Sequence, residues 1–213
     1  MVNIIFQDYF KKYKINVSRE TCNDLELFVE LIIQENSLIN LISRKNINKH
    51  YIMERHIIDS LQIIDFIDFN NKKIVDLGSG SGFPGIVTAI IAKHKNTSLN
   101  VELFEKSFHK SKFLKKVSEN LNLKTEIIQK NIFNEERKEK LIITSRAFKP
   151  LPVVLDLVNN KFNNCKNLII FMGKSGEKIL RDVLRKWKLN YQIKKSVTNS
   201  ESFILNIREI KKL

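Results

Sequence analysis

A chain of 213 residues, 43% apolar and 28% charged, is long enough to bury one core and has the balance of a globular domain. Its longest apolar runs, such as 86–92, fall well short of the roughly 18 residues a bilayer span needs. An acidic residue within the first eight argues against a secretory leader, and Cys22 and Cys165 match no metal or redox spacing; the expectation is a cytoplasmic protein with reduced thiols, no metal and no membrane partner. The net charge of +14 favours polyanions, nucleic acid first among them. Lysine outnumbers arginine more than three to one, however, a bias that AT-rich coding produces by itself.

In chain order, Leu25, Phe28, Val29, Leu31, Ile32 and Ile33 recur at three- and four-residue spacing, the stripe of an amphipathic helix. Ser18 with Glu20, or Thr21 with Asp24, offers its N-cap. Asn40–Ser43 reads as a loop, and a second stripe of Met53, Ile57, Ile58, Leu61 and Ile64 predicts a helix running to about Phe69. Arg55 and Asp59, four apart on that helix, are placed to pair with each other; His56 is placed to pack as a lid on whatever site follows. From Lys72 the period changes. Short strands are expected at 74–77, 99–104, 125–129, 141–144 and 168–172, with helices at 86–92, 111–121, 153–158 and 177–187. Two last strands near 191–193 and 203–207 have no helix between them and predict an antiparallel hairpin at one edge. The expected fold is α/β: a mostly parallel seven-stranded sheet with an antiparallel C-terminal edge over residues 71–213. A helical extension, residues 1–70, packs on it to make one compact unit.

The first strand runs directly into Val75-Asp76-Leu77-Gly78-Ser79-Gly80-Ser81-Gly82-Phe83-Pro84-Gly85. Glycines at 78, 80 and 82 allow positive φ and close approach to a ligand. Pro84 suits a helix N-terminus, and a turn at the carboxyl end of a strand is where open α/β sheets collect ligands. Two registers compete. Gly80-x-Gly82-x-x-Gly85, with Glu105 about 20 residues on, fits a dinucleotide fingerprint. Asp76 followed by Gly78-x-Gly80-x-Gly82 fits the class I Rossmann-like methyltransferases. Asp76 favours the second, because a carboxylate so close repels a pyrophosphate and attracts the ammonium and sulfonium of S-adenosylmethionine. Glu105, ending the second strand, can accept both ribose hydroxyls. The candidate cofactor-binding set is therefore Asp76, Gly78, Ser79, Gly80, Gly82 and Glu105.

Beyond the fourth strand, enzymes that methylate exocyclic amines carry an Asn/Asp-Pro-Pro-Tyr cluster of acceptors. This chain reads Thr144-Ser145-Arg146-Ala147-Phe148-Lys149-Pro150 instead. Carbon-5 pyrimidine methylation needs a nucleophilic cysteine near the strand ends, but Cys165 precedes the fifth strand and Cys22 lies in the extension. An acceptor that is already nucleophilic, such as guanine N7, needs no general base. It needs nitrogen, methyl carbon and sulfur held in line, and such orientation supplies roughly 7–11 kcal/mol of barrier reduction. Arg146 is then the candidate catalytic residue, positioning cofactor, base or phosphate. Lys110, Lys112, Lys115 and Lys116, on one helix, are candidates for gripping RNA phosphates. Three other readings stay open: a methyltransferase of a protein or small molecule, an RNA-binding protein without catalysis, and a nicotinamide oxidoreductase.

Five segments carry a resemblance over nearly the whole length: Asn40-Leu41-Ile42-Ser43, Arg55-His56-Ile57-Ile58-Asp59-Ser60, Val75 to Ile86 with its Phe-Pro-Gly-Ile ending, Lys112-Phe113-Leu114, and Ser145-Arg146-Ala147-Phe148. In this order they resemble the bacterial glucose-inhibited division protein B family, methyltransferases of guanine N7 in small-subunit (16S) ribosomal RNA. The resemblance implies S-adenosyl-L-methionine as donor and 16S ribosomal RNA or the small ribosomal subunit as partner. It also implies direct transfer without metal or covalent intermediate. By the same resemblance Gly78 and Phe83 contact the donor, Glu105 binds its ribose, the backbone of Asn131 and Ile132 meets the adenine, and Arg146 is the active-site arginine. Lys130 stands where the family has arginine, which keeps the charge and loses the bidentate fork. Lys174 is similar to a family lysine, shifted by one. Both are RNA-binding candidates.

Overall fold

The computed structural model describes residues 4–43, 47–162 and 164–213. After a first helix, α1 (Ile4–Lys12), Ser18 caps α2 (Arg19–Glu35), its Oγ accepting the Thr21 N–H at 3.1 Å. Leu25, Phe28, Val29 and Ile32 are fully buried along one face of α2, each contributing about 1.5–3 kcal/mol of apolar burial. Asn36 ends the helix; its Oδ1 accepts the Leu41 and Ile42 N–H groups at 2.8 Å each. That pair of bonds pins the loop predicted at Asn40–Ser43, whose donors no strand or helix would satisfy.

The second predicted helix has a different build. Asn48 caps α3 (Lys49–Ile52), which runs without a break into a π-helical segment, Met53–Ile58, and a last turn, α4 (Asp59–Leu61). It therefore stops at Leu61, well before Phe69, and a 3-10 turn follows at Ile64–Phe66. Ile64 still packs against the core from that turn, so the apolar spacing imitates a longer helix. A π segment widens the helix and is often found where side chains must be re-aimed at a site. Arg55, His56 and Asp59 stand on or beside this one.

The rest alternates strand and helix: β1 (Lys73–Leu77), α5 (Gly85–His94), β2 (Asn100–Phe104), α6 (Phe108–Asn120), β3 (Thr125–Ile128), β4 (Leu141–Arg146), α7 (Leu151–Lys161), β5 (Cys165–Met172), α8 (Gly176–Leu184), β6 (Trp187–Lys195) and β7 (Phe203–Lys212). Pro84, in the N-cap position, precedes α5. The helix predicted to reach Trp187 ends at Leu184 because buried Trp187 opens β6. The sheet order is β3-β2-β1-β4-β5-β7-β6. β1 to β5 are mutually parallel, and β7 runs antiparallel to both β5 and β6. This is the class I Rossmann-like methyltransferase fold. The predicted hairpin is not simply appended: β7, last in sequence, inserts inside the sheet and leaves β6 at the edge.

Alternation along the strands divides the core. Ile74, Val101, Ile142 and Ile169 face α1, α2, α5 and α6, while Val75, Leu77, Ile143 and Leu168 face α7 and α8. The N-terminal helices therefore share a core with the sheet. Lys93 with Asp24 and Lys116 with Glu35, each at 2.8 Å, tie α5 and α6 to α2 at the rim.

Candidate active site

A cavity of about 590 Å³ opens at the carboxyl ends of β1, β2 and β4, where the strand order reverses. Gly78, Gly80 and Gly82 hold φ of +69°, +57° and +96°. A Cβ on Gly78 would lie 2.2 Å from the Phe148 ring and one on Gly82 2.6 Å from Ile86, whereas one on Gly80 would meet nothing nearer than the Gly78 carbonyl oxygen at 3.8 Å. Gly78 and Gly82 are thus glycines for the protein's own packing. Gly80 borders open space, a cradle that a side chain would fill.

Glu105 closes this cradle. Its Oε2 accepts the Gly80 N–H at 2.9 Å and its Oε1 the Ser107 N–H at 2.7 Å, so both oxygens are fixed while the residue lines the cavity. Asp76 lies elsewhere than its motif suggests. It is 1% exposed, beneath the turn, with Oδ1 accepting from Thr144 Oγ1 at 2.8 Å and Oδ2 without a partner. Burial pushes its carboxyl up to about 6, against the hydrogen bond from Thr144. Neither Asp76 nor Gly82 lines the cavity, whereas Gly78, Ser79, Gly80, Phe83, Glu105, Asn131, Ile132 and Arg146 do. Asn131 caps a 3-10 turn at Ile132–Asn134, accepting the Phe133 N–H at 3.3 Å.

Arg146 leaves the end of β4 and is held through one of its two terminal nitrogens, the other, Nη1, being buried without a partner. Its Nη2 donates to the Arg55 carbonyl at 2.8 Å and to His56 Nδ1 at 3.0 Å, and it pairs with Asp59 Oδ2 at 3.4 Å. The guanidinium lies 5.8 Å from the Phe83 ring and 5.6 Å from the Phe171 ring, close enough for cation–π attraction. Burial lowers its pKa, with Asp59 acting against that. The pairing expected between Arg55 and Asp59 is replaced: Asp59 takes Arg146, and Arg55 Nη1 donates to the Thr198 carbonyl at 3.0 Å. The next residue, Ala147, has φ of +51° and lines the cavity, a left-handed conformation uncommon for a residue with a Cβ.

His56 stacks on Phe83 with centroids 4.9 Å apart and an 18° interplanar angle, the lid-like packing its place before the glycine turn suggested. Burial, with Arg146 and Arg55 adding to it, pushes its pKa down to about 3. Arginine cannot accept a hydrogen bond, so Nδ1 accepts and the proton of the neutral ring sits on Nε2. The unfolded chain takes up a proton near 6.5 and the folded one only near 3, so His56 contributes stability above about pH 6.5 that is lost as pH falls. His56→Asn should therefore flatten the decline of the urea midpoint between pH 6.5 and 4. An acid slope identical to the parent's would show that His56 is not a source of it.

The rim is basic. Lys110 and Lys130 reach the cavity as candidates, joined by Lys106 and Lys149, which sequence reasoning passed over because each stands alone in its motif. Lys112, Lys115 and Lys116 are exposed on α6 and do not line the cavity; Lys116 pairs with Glu35, and Lys174 with Glu201 at 3.0 Å. Leu41, Ile42 and Tyr51 bring the N-terminal extension over the cavity. Cys165 heads β5 at the opposite end of the sheet, and burial pushes its thiol up to about 12, the reverse of what a nucleophile needs. Among the described residues no group of His, Cys, Asp and Glu is placed to hold a metal ion, and no helix is long and apolar enough to cross a membrane.

The family model for GidB, described as rRNA small subunit methyltransferase G, matches residues 21–208. A ribosomal RNA small subunit methyltransferase G from Pelagibacter ubique (strain HTCC1062) is 49% identical over 210 residues, 97% of this chain and 99% of the relative. One from Rickettsia akari (strain Hartford) is 34% identical over 199 residues, 93% of this chain and 100% of that one. In fold, a methyltransferase from Pyrococcus furiosus superposes with a TM-score of 0.55 at 12% identity, over 87% of this chain and 97% of that one. With the match spanning the glycine turn, the cavity and the hairpin alike, the chain belongs to the rRNA small subunit methyltransferase G family.

Proposed function

We infer that this protein is an S-adenosylmethionine-dependent methyltransferase of N7 of a guanine in 16S ribosomal RNA, working in the cytoplasm on the RNA or the small subunit. The observation that carries the reading is the cradle at Gly80, open to a ligand and closed at its far side by the fixed carboxylate of Glu105. When bound there, S-adenosylmethionine supplies a sulfonium-activated methyl group; the N7 lone pair forms the new N–C bond as the C–S pair returns to sulfur, and no proton is released.

The chain's residues divide the work. Gly78, Ser79, Gly80 and Phe83 wall the donor side, and Glu105 accepts the ribose hydroxyls with its free lone pairs. Asn131 and Ile132 border the adenine. Asp76 and Gly82 act from beneath, keeping the turn in shape without touching the donor. Arg146, pinned between two rings and Asp59, fixes the acceptor side. His56, neutral and stacked, has no proton to exchange at working pH, in keeping with a reaction that needs no base.

Lys106, Lys110, Lys130 and Lys149 then meet RNA phosphates at the cavity mouth, with Lys112, Lys115, Lys116 and Lys174 farther out. At about −0.7 per contact, four such lysines give a log–log salt slope of RNA affinity near −3. Lys106→Ala with Lys149→Ala should flatten it by about 1.4. A small-molecule or protein substrate predicts a nearly flat dependence. The reading itself is tested by incubating unmethylated small subunits and deproteinised 16S RNA with the protein and labelled donor, then locating 7-methylguanosine by reduction and aniline scission. A new 7-methylguanosine site supports it; label absent from both, or carried by another base, overturns it.

A further inference from the structure

On the other side of Arg146 lies a second cavity of about 300 Å³, between the ends of β4 and β5 and the loop joining β6 to β7. The two cavities meet along a border to which Tyr51, His56, Arg146 and Ala147 all contribute. Ser196, Thr198, Asn199 and Ser202 face the second cavity from the loop, with the Phe171 and Phe203 side chains beside them. Its wall is built in advance. Asp59 Oδ1 accepts from Gln62 Nε2, Ser196 Oγ and Thr198 Oγ1 at 3.1, 3.2 and 3.1 Å. Val197 N–H donates to Gln62 Oε1 at 2.8 Å, and Arg55 holds the Thr198 carbonyl.

We propose that this second cavity receives the acceptor base itself, a guanine drawn out of the RNA and held by its N1–H and N2 edge at Asp59 and the β6–β7 loop. The proposal rests on the methyltransferase reading and adds to it a site and the residues that select the base. Aromatic faces beside hydroxyl and amide groups are the lining that a flipped base requires. Arg146 pairs with Asp59 and Arg55 donates to the Thr198 carbonyl, so one carboxylate stands against two guanidiniums in this lining, and phosphate is the competing occupant that the titration below separates from a base. Asp59 Oδ2 has only the 3.4 Å contact with Arg146, which leaves it acceptor capacity. Guanine offers two donors on that edge, while adenine offers a donor beside an acceptor. A guanine held there keeps N7, on another edge, free of the contact and able to face the border with the donor cavity.

Gly173 gives the test. It lines this cavity, its φ is not positive, and a Cβ there would meet no atom within 4 Å, so Gly173→Leu intrudes without disturbing the fold. The full protein is saturated with S-adenosylhomocysteine, which blocks the first cavity, and titrated with guanosine, adenosine and inorganic phosphate. Guanosine should bind saturably, with adenosine weaker by about tenfold. Gly173→Leu should weaken guanosine and raise the KM for RNA by about tenfold each, leaving S-adenosylhomocysteine affinity unchanged. Asp59→Asn should erase the preference for guanosine over adenosine. Absence of saturable guanosine binding, displacement of guanosine by phosphate, or parental guanosine binding by Gly173→Leu would each overturn the proposal. In the last case, continued N7 methylation by the parent protein leaves the functional reading standing; a parent protein that neither binds donor nor methylates RNA removes that reading instead.

Discussion

Gly80→Val should abolish binding of S-adenosylmethionine and S-adenosylhomocysteine while leaving a folded protein. The reason is the contrast among the three glycines of the turn. All three have positive φ, so any side chain costs about 1–2 kcal/mol of backbone strain. At Gly78 and Gly82 the added Cβ also strikes Phe148 at 2.2 Å and Ile86 at 2.6 Å, and alanine at either should destabilise the fold by a further 1–3 kcal/mol or so through overpacking. At Gly80 it strikes nothing. The valine branches then occupy the cradle beside Glu105. Calorimetry with the product and a urea melt on the same samples separate the two effects. Donor affinity equal to the parent's in folded Gly80→Val would mean that the ligand does not approach this backbone.

Arg146→Ala is expected to lower kcat by about 100-fold or more, the penalty for a misplaced reactant, with donor affinity changed only a few-fold. Arg146 makes its contacts with the Arg55 carbonyl, His56 and Asp59, and none with Glu105 or the glycine turn backbone, so the donor cradle survives its removal. Asp59 loses its cation but keeps three donors on Oδ1, which holds the stability loss toward the low end of the about 3–5 kcal/mol typical of a broken buried pair. Arg146→Lys should recover little, because a compact ammonium does not reproduce the packing of the planar guanidinium between the Phe83 and Phe171 rings. Single-turnover methylation beside donor calorimetry decides the matter. Lost donor affinity with kcat preserved would move Arg146 to the donor side.

Much of this was legible because local patterns were strong. The apolar stripe of α2, the buried run of β1 and the glycine turn are each set by neighbours in sequence, and the parallel run of β1 to β5 follows from alternating strands and helices. The failures share a cause. Ile64 packs on the core from a 3-10 turn and Trp187 is buried in β6, so apolar spacing extended two helices that the backbone ends early. Asp76 reads as a ligand group from its motif, whereas its burial and its hydrogen bond from Thr144 of β4 come from residues far off in sequence. Arg55 and Asp59 sit at a helical spacing that invites pairing, yet the π segment turns them to partners about 90 to 140 residues away. Nothing in Ala147 or in the β6–β7 loop announces a role, because each acquires one only from what lies across the site.

One consequence of β7 lying inside the sheet concerns how the molecule is made. A ribosome delivers β5 long before β7, and until then β5 exposes a row of unpaired amides and carbonyls along its flank. The half-made polypeptide already contains the whole glycine turn and Glu105, so a donor cradle can form early. The partners of Asp59 at Ser196 and Thr198 emerge only with the closing hairpin. A frameshift or nonsense codon after β5 would therefore leave every recognisable motif intact and yield a sticky, unfinished sheet unable to act on RNA.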